Sequence, residues 1–192
     1  MEFKKIQLNG FKSFAEKTNF LIEDGLTGIV GPNGCGKSNI VESLRWAMGE
    51  TSAKSMRGSG MEDVIFSGTS NMASKNIAEV SVEVDNKDKE GPIQFRELEQ
   101  IQVRRKIEKD KGSKFYINDK EVRARDAQMF FADLSTGAHS PSMISQGRIG
   151  ALVTAKPTDR RAILEEAAGI SGLHVRRHEA ELRLGAAENN LK

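Results

Sequence analysis

The sequence predicts an α/β protein with a mixed and antiparallel sheet and a phosphate-loop helix, followed by a coiled-coil helix. Three observations carry that prediction. Gly31-Pro32-Asn33-Gly34-Cys35-Gly36-Lys37-Ser38 fits G-x-x-x-x-G-K-[ST], the phosphate-binding loop of nucleotide hydrolases. Several segments alternate apolar and polar residues, as half-buried strands do. From Pro157 onward apolar residues repeat in sevens instead.

The loop gains weight from its flanks. Leu26, Ile29 and Val30 read as the end of a buried strand entering it. Ile40, Val41, Leu44, Ala47 and Met48 recur at helical spacing after it, and Gly49 reads as the helix stop. Strand, glycine loop and helix are what phosphate binding needs, because backbone N–H groups and the positive helix end converge on the anion. Lys37 has the reach for the β- and γ-phosphates, and the Ser38 hydroxyl suits Mg²⁺.

Phe3 to Leu8 reads as an opening strand that ends at Asn9-Gly10, and a second strand covers about Thr18 to Ile22. Val64-Ile65-Phe66 is a short apolar run. In Ala78 to Val84 the valines 80, 82 and 84 share one face, and Ile101, Val103 and Ile107 repeat the pattern; together they predict a half-solvated antiparallel sheet. Phe115-Tyr116-Ile117 adds a strand turning at Asn118-Asp119. Ala124 to Leu134 is amphipathic, with Ala127, Phe130, Phe131 and Leu134 at i, i+3, i+4 and i+7. Ile163, Ile170, Leu184 and Leu191 then mark a coiled-coil seam, interrupted by Arg177, that requires a partner strand.

Bulk properties exclude several classes. With 29 basic and 27 acidic residues the chain is no polycation, so nucleic-acid contact has to come from a local patch. Arg104-Arg105-Lys106 with Lys109, Lys111 and Lys114 is such a stretch; the competing reading is a solvated strand face. One cysteine excludes an internal disulfide. No signal peptide and no membrane-length apolar run are visible, which predicts a cytoplasmic protein with no membrane contact. His174 and His178 have zinc-compatible spacing but no evident third ligand, and His139 lacks a catalytic partner.

Taken together, Phe11-Lys12-Ser13-Phe14, the loop with Asn39, Met56-Arg57-Gly58, Glu62 to Phe66, Ser145-Gln146-Gly147, and Arg160-Arg161 followed by Glu165 to Ile170 form a specific set. In order and spacing it resembles the N-terminal half of the ATPase head of a structural maintenance of chromosomes (SMC) protein of the bacterial condensin type. The resemblance covers essentially the whole chain. It implies an ABC-type head built from N- and C-terminal halves, with residues 1–156 as the N-terminal lobe and 157–192 as the start of the coiled-coil arm. It implies ATP and Mg²⁺ as cofactors, ATP being held by Pro32, Asn33, Gly34, Cys35, Gly36, Lys37, Ser38, Asn39 and Lys12, with Phe14 nearby. Lys37, Gln146 and Arg57 would be catalytic: Gln146 resembles the Q-loop glutamine near Mg²⁺ and the attacking water, and Arg57 the family's arginine loop, linked to head engagement. Ser38 and Gln146 would face the metal. Implied partners are the C-terminal head lobe, a second SMC head in a homodimer, a kleisin-type subunit and DNA, in a nucleoid-associated complex. Two positions depart from the pattern. Asn118-Asp119 stands where related sequences often have Asn-Gly, and Cys35 where serine is common, a filler or a thiol whose modification would block ATP.

Hydrolysis in that architecture also needs a Walker B acid pair and an LSGGQ-like signature, and neither is visible here. Met129-Phe130-Phe131-Ala132-Asp133 imitates Walker B but obeys helical periodicity, whereas a Walker B acid ends a buried strand. The chain alone is therefore expected to be inactive as an ATPase. Competing readings are a nucleotide-gated structural tether, another coiled-coil ABC ATPase of DNA repair, and a self-contained P-loop kinase or GTPase. The last lacks a guanine-recognition motif and has no use for heptads.

Overall fold

The computed structural model describes residues 2–134 apart from 88 and 90, then residue 150 and scattered positions between 153 and 188. Strands form where the sequence alternates: β1 (Glu2–Asn9), β2 (Thr18–Leu21), β3 (Ile77–Asp85), β4 (Gln100–Glu108), β5 (Gly112–Ile117) and β6 (Lys120–Val122). They make one sheet in the order β2-β1-β3-β4-β5-β6, with every pairing antiparallel. Val80, Val82 and Val84 lie opposite Arg105, Val103 and Ile101, and all six are buried. Asn118 and Asp119, at the β5–β6 turn, both adopt left-handed φ, 45° and 63°. Such a pair matches the right-handed twist of a hairpin, and Asn and Asp tolerate it better than most side chains.

The phosphate-loop helix α1 (Lys37–Ala47) packs on β3 and β4. It buries Ile40, Glu42, Ser43, Trp46 and Ala47. The helix is where the sequence predicts it, but its buried stripe is rotated from the predicted one: Val41 is exposed and Leu44 only half-buried. Trp46 is fully buried against Phe11, with ring centroids 5.5 Å apart. Gly49 follows the helix with φ 101°, and a Cβ there would lie 2.4 Å from Gln128 Cγ. Gln128, on α2 (Ala124–Asp133), donates to the Gly49 carbonyl at 2.8 Å.

The entering strand is a correction. Leu26, Ile29 and Val30 belong to no strand, and Leu26 is 100% and Val30 92% exposed. A strand exists only through ladder bonds to a neighbour, and among the described residues none runs beside this segment.

The chain divides into two compact units, Met1–Gln128 and Met129–Lys192. The sheet, the glycine loop and α1 all lie in the first. In the second, Phe130 and Phe131 meet edge to face at 5.3 Å, and Arg160 donates to the carbonyls of Val153 and Ala155. Among the described residues no helix is long and apolar enough to cross a membrane. Gln146, His139, His174, His178 and most of the predicted seam lie outside the described residues.

Candidate nucleotide site

The site starts from a helix that begins without a lid. Gly36 caps α1 with φ 94°, no side chain caps the first turn, and that turn holds no acidic residue. The first N–H groups of a helix have no intrahelical acceptor, so this end offers donors and a positive dipole to an anion. Gly34 is left-handed too, at φ 83°, which turns successive amides the same way. Gly36 is required twice over: for its φ, and because a Cβ would lie 2.6 Å from Ser13 Oγ.

Lys37 folds back over the loop. Its ammonium donates to the Gly31 carbonyl at 2.5 Å and the Pro32 carbonyl at 2.6 Å, with Cys35 Sγ at 3.7 Å. These exposed carbonyls hold the charge over the loop, where a phosphate is a stronger acceptor. Pro32, Asn33 and Gly34 are exposed along the rim. The Ser38 hydroxyl is exposed at the first helical turn and has no hydrogen bond among the described residues.

A second loop closes one side. Phe11 and Phe14 exchange backbone hydrogen bonds at 3.0 and 2.8 Å, making the tight turn that carries Lys12 and Ser13. Lys12 N–H donates to the Val64 carbonyl at 2.7 Å, and Phe66 N–H to that of Gly10 at 2.8 Å, joining this turn to the apolar run read in the sequence. Asn39 Nδ2 donates to Ser13 Oγ at 2.9 Å, and Asn39 Oδ1 accepts from Arg57 Nη2 at 3.1 Å. The structure thus brings Ser13, Asn39 and Arg57 together at the first turn of α1.

Arg57 ends a short 3-10 turn, Lys54–Met56, in left-handed conformation with φ 55°. Its Nε forms an ion pair with Glu42 Oε1. The other Glu42 oxygen takes the ammonium of Lys12, itself left-handed at φ 47°. The same ammonium donates to the Met56 carbonyl at 2.5 Å. Lys12 therefore bridges helix and arginine loop, its nitrogen directed at Glu42 rather than at the rim. Sequence reasoning missed Glu42, although its place four residues after Ser38 and four before Trp46 put it on their side of the helix.

Asp63 braces the arginine loop. Its carboxylate accepts from the N–H of Ser59 at 2.6 Å, the N–H of Gly60 at 3.0 Å and the Ser59 hydroxyl at 2.8 Å. The Gly60 and Ser59 bonds hold its pKa below the ordinary Asp value. A depressed carboxylate stabilises the fold above the ordinary value and loses that contribution as pH falls through its folded one. The melting difference between wild type and Asp63→Asn should thus be steady near neutrality and shrink below pH about 4.

The predicted basic patch needs a correction at Arg105. It is 3% exposed and stacks between Trp46 and Phe115, 4.5 and 4.6 Å from the ring centres. Its Nη1 donates to the carbonyls of Trp46 at 2.8 Å and Glu50 at 2.7 Å, at the C-terminal end of α1. Burial pushes its pKa down to about 10, opposed by Glu50, so it stays charged at neutral pH. Along the patch, Arg104 pairs with Asp119 at 2.9 Å, Lys111 with Glu108 at 2.6 Å and Lys114 with Glu121 at 3.0 Å. The last pairing raises the Lys114 pKa. Lys106 and Lys114 stand directly opposite each other on β4 and β5.

Comparison with known proteins identifies the family. Residues 2–148 match the profile of the RecF/RecN/SMC N-terminal domain. The chain is 56% identical over 191 residues to the chromosome partition protein Smc of Rhodopseudomonas palustris, matching 100% of itself and 17% of that protein. It is 58% identical to that of Cereibacter sphaeroides with the same coverage. The chain thus spans about a sixth of the length of these relatives. Among solved structures, an Smc head bound to the C-terminal winged-helix domain of ScpA superposes with a TM-score of 0.82 at 30% identity, over 89% of this chain and 52% of that one. A chain from SMC ATPases described for ATP-driven dimerization and DNA-stimulated activation gives 0.73 at 30% identity, over 87% and 99%. The Pyrococcus furiosus Smc head with an extended coiled coil, bound to the C-terminal domain of ScpA, gives 0.81 at 30% identity, over 98% and 47%. With its uncapped glycine loop and the lysine folded over it, the chain belongs to the RecF/RecN/SMC N-terminal domain family, as the N-terminal segment of an SMC-type head.

Proposed function

We propose that this chain is the ATP-binding part of a chromosome-partitioning ATPase, with ATP held on the loop from Pro32 to Asn39. The observation that carries the proposal is the helix end at Gly36: left-handed, uncapped, free of acid and crossed by the Lys37 ammonium. Such an end attracts a polyphosphate and repels little. Mg²⁺ fits the donors present. Among the described residues no cluster of His, Cys, Asp or Glu suits a metal, and the available oxygen is the Ser38 hydroxyl. Mg²⁺ commonly keeps its waters and binds through few protein ligands plus substrate phosphates. Bound there with Gln146 as a further oxygen ligand, it would offset phosphate charge.

Turnover is assigned to a head completed by a C-terminal lobe that supplies the Walker B acids and, from the opposing head, the signature motif. Leu26, Ile29, Val30 and Val41, all exposed, are apolar surface for that lobe to cover. Engagement of a second head, a kleisin-type subunit and DNA follow as partners, in keeping with related heads described for ATP-driven dimerization, DNA-stimulated activation and binding to ScpA. DNA contact is assigned to Lys106, Lys109, Lys111 and Lys114, with Arg105 withdrawn into the core. Lys106 and Lys114 face each other across β4 and β5, and Glu121 pairs with Lys114, so a DNA phosphate would compete with that carboxylate for the ammonium. A cytoplasmic, nucleoid-associated location belongs to the same proposal.

The test uses the complete protein. Gln146→Ala is expected to keep ATP binding within a few-fold while turnover falls about a hundredfold, the range for loss of a group that acts on the transition state. Turnover unchanged in Gln146→Ala removes Gln146 from the site.

A further inference from the structure

We propose that Glu42 is a positioning residue that fixes Arg57 beside the phosphate loop. Two loops from distant parts of the chain converge on this one carboxylate. Each brings a cation from a non-glycine residue in the left-handed region, Lys12 at φ 47° and Arg57 at φ 55°. Left-handed backbone at residues with side chains is unfavourable and persists where the surroundings hold it. Backbone hydrogen bonds shape each turn, from Lys12 N–H to the Val64 carbonyl and from Arg57 N–H to that of Lys54, and Glu42 ties the two side chains together, its two oxygens divided between them.

The division is unequal in a way that assigns the roles. Lys12 is 13% exposed, and its ammonium is taken by Glu42 and the Met56 carbonyl. Since Met56 precedes Arg57, this bond fixes the backbone from which Arg57 projects. Arg57 is 58% exposed: its Nε rests on Glu42 and its Nη2 on Asn39, and Nη1 has no hydrogen bond among the described residues. A guanidinium held along one edge presents the other in a fixed plane, which is how a planar fork recognises phosphate. Glu42 thus acts twice on one arginine, directly through Nε and indirectly through Lys12 and the Met56 carbonyl. The carboxylate is 11% exposed on α1, four residues beyond Ser38, so the anchor rides on the helix that carries the loop. Two cations on one anion leave the cluster net positive, as a site for a polyanion requires.

The proposal rests on reading the loop as an ATP site only in its turnover arm. The test is therefore run on the complete protein in two arms. Without nucleotide, phenylglyoxal modification of Arg57, read by peptide mass, is expected to quicken severalfold in Glu42→Gln. With ATP, kcat is expected to fall about tenfold in Glu42→Gln, a small misplacement being enough for such a loss. In an Arg57→Ala background the same change is expected to cause no further fall, because an effect exerted through Arg57 vanishes with it. Should Glu42→Gln fail to fold, Glu42→Asp, which keeps the charge but withdraws it by one methylene, runs both arms with smaller effects in the same directions. An unchanged modification rate, or an undiminished fall in the Arg57→Ala background, overturns the proposal. Turnover indifferent to Lys37→Ala instead overturns the ATP reading, and the modification arm then still decides whether Glu42 anchors Arg57.

Discussion

Lys37→Ala is expected to weaken ATP binding by the complete protein between tenfold and a hundredfold or more. The ammonium lies over the loop on two carbonyls, 2.5 and 2.6 Å away, both at the exposed rim. Exchanging those neutral acceptors for phosphate oxygens gains a charge-assisted bond worth about 1.5–3 kcal/mol. That range converts to about 10- to 150-fold in Kd. The fold should not suffer, since the side chain joins only loop groups beside it. A melting point close to wild type together with collapsed ATP affinity is the expected signature, read by thermal melting and equilibrium binding. Lys37→Arg should recover little, because a forked guanidinium does not replace a compact ammonium in a tight loop.

Arg105→Ala is expected to act in the opposite way, on stability first. The guanidinium lies between Trp46 and Phe115 and donates to two carbonyls at the end of α1. Alanine would leave a cavity between two rings and remove both bonds. Gly49 N–H still donates to the Trp46 carbonyl at 3.0 Å, so the Glu50 carbonyl suffers more. The expected loss is about 3–5 kcal/mol, the range for breaking a buried, charge-assisted contact or emptying a core site. Urea denaturation measures it as a lowered midpoint at constant slope. Arg105→Lys keeps the charge but loses the flat stacking face, and should lie between wild type and alanine. A midpoint unchanged in Arg105→Ala would mean that the far end of α1 is held by other contacts.

Arg105 also shows what the sequence disclosed. Read as one of a run of three bases, it looks like part of a surface patch. Read by strand period, it is in phase with Ile101, Val103 and Ile107 and so faces the core. The period was the better guide, because a buried face is set by the pleat while a charge can be satisfied inside by rings and carbonyls. The same period located β1, β3, β4 and β5, and the glycine loop located the start of α1. The failure at Leu26 to Val30 has a different cause. An apolar run records a tendency to be buried and not the neighbour that would bury it, and among the described residues nothing pairs with this one. Glu42 escaped because a lone acid on a helix usually marks solvent. Only the fold shows Lys12 and Arg57 arriving from either side. The contacts among Ser13, Asn39 and Arg57 were likewise invisible to spacing, being made between residues 18 and 26 positions apart.

Left-handed glycines and one lysine are proposed to form a triphosphate cradle at the start of α1. Isothermal titration of ATP into the complete protein, with and without magnesium and in wild type and Lys37→Ala, tests it most directly. Saturable, magnesium-dependent heat in wild type that disappears in Lys37→Ala is the expected result. No ATP uptake by wild type, or equal uptake by both proteins, would contradict it.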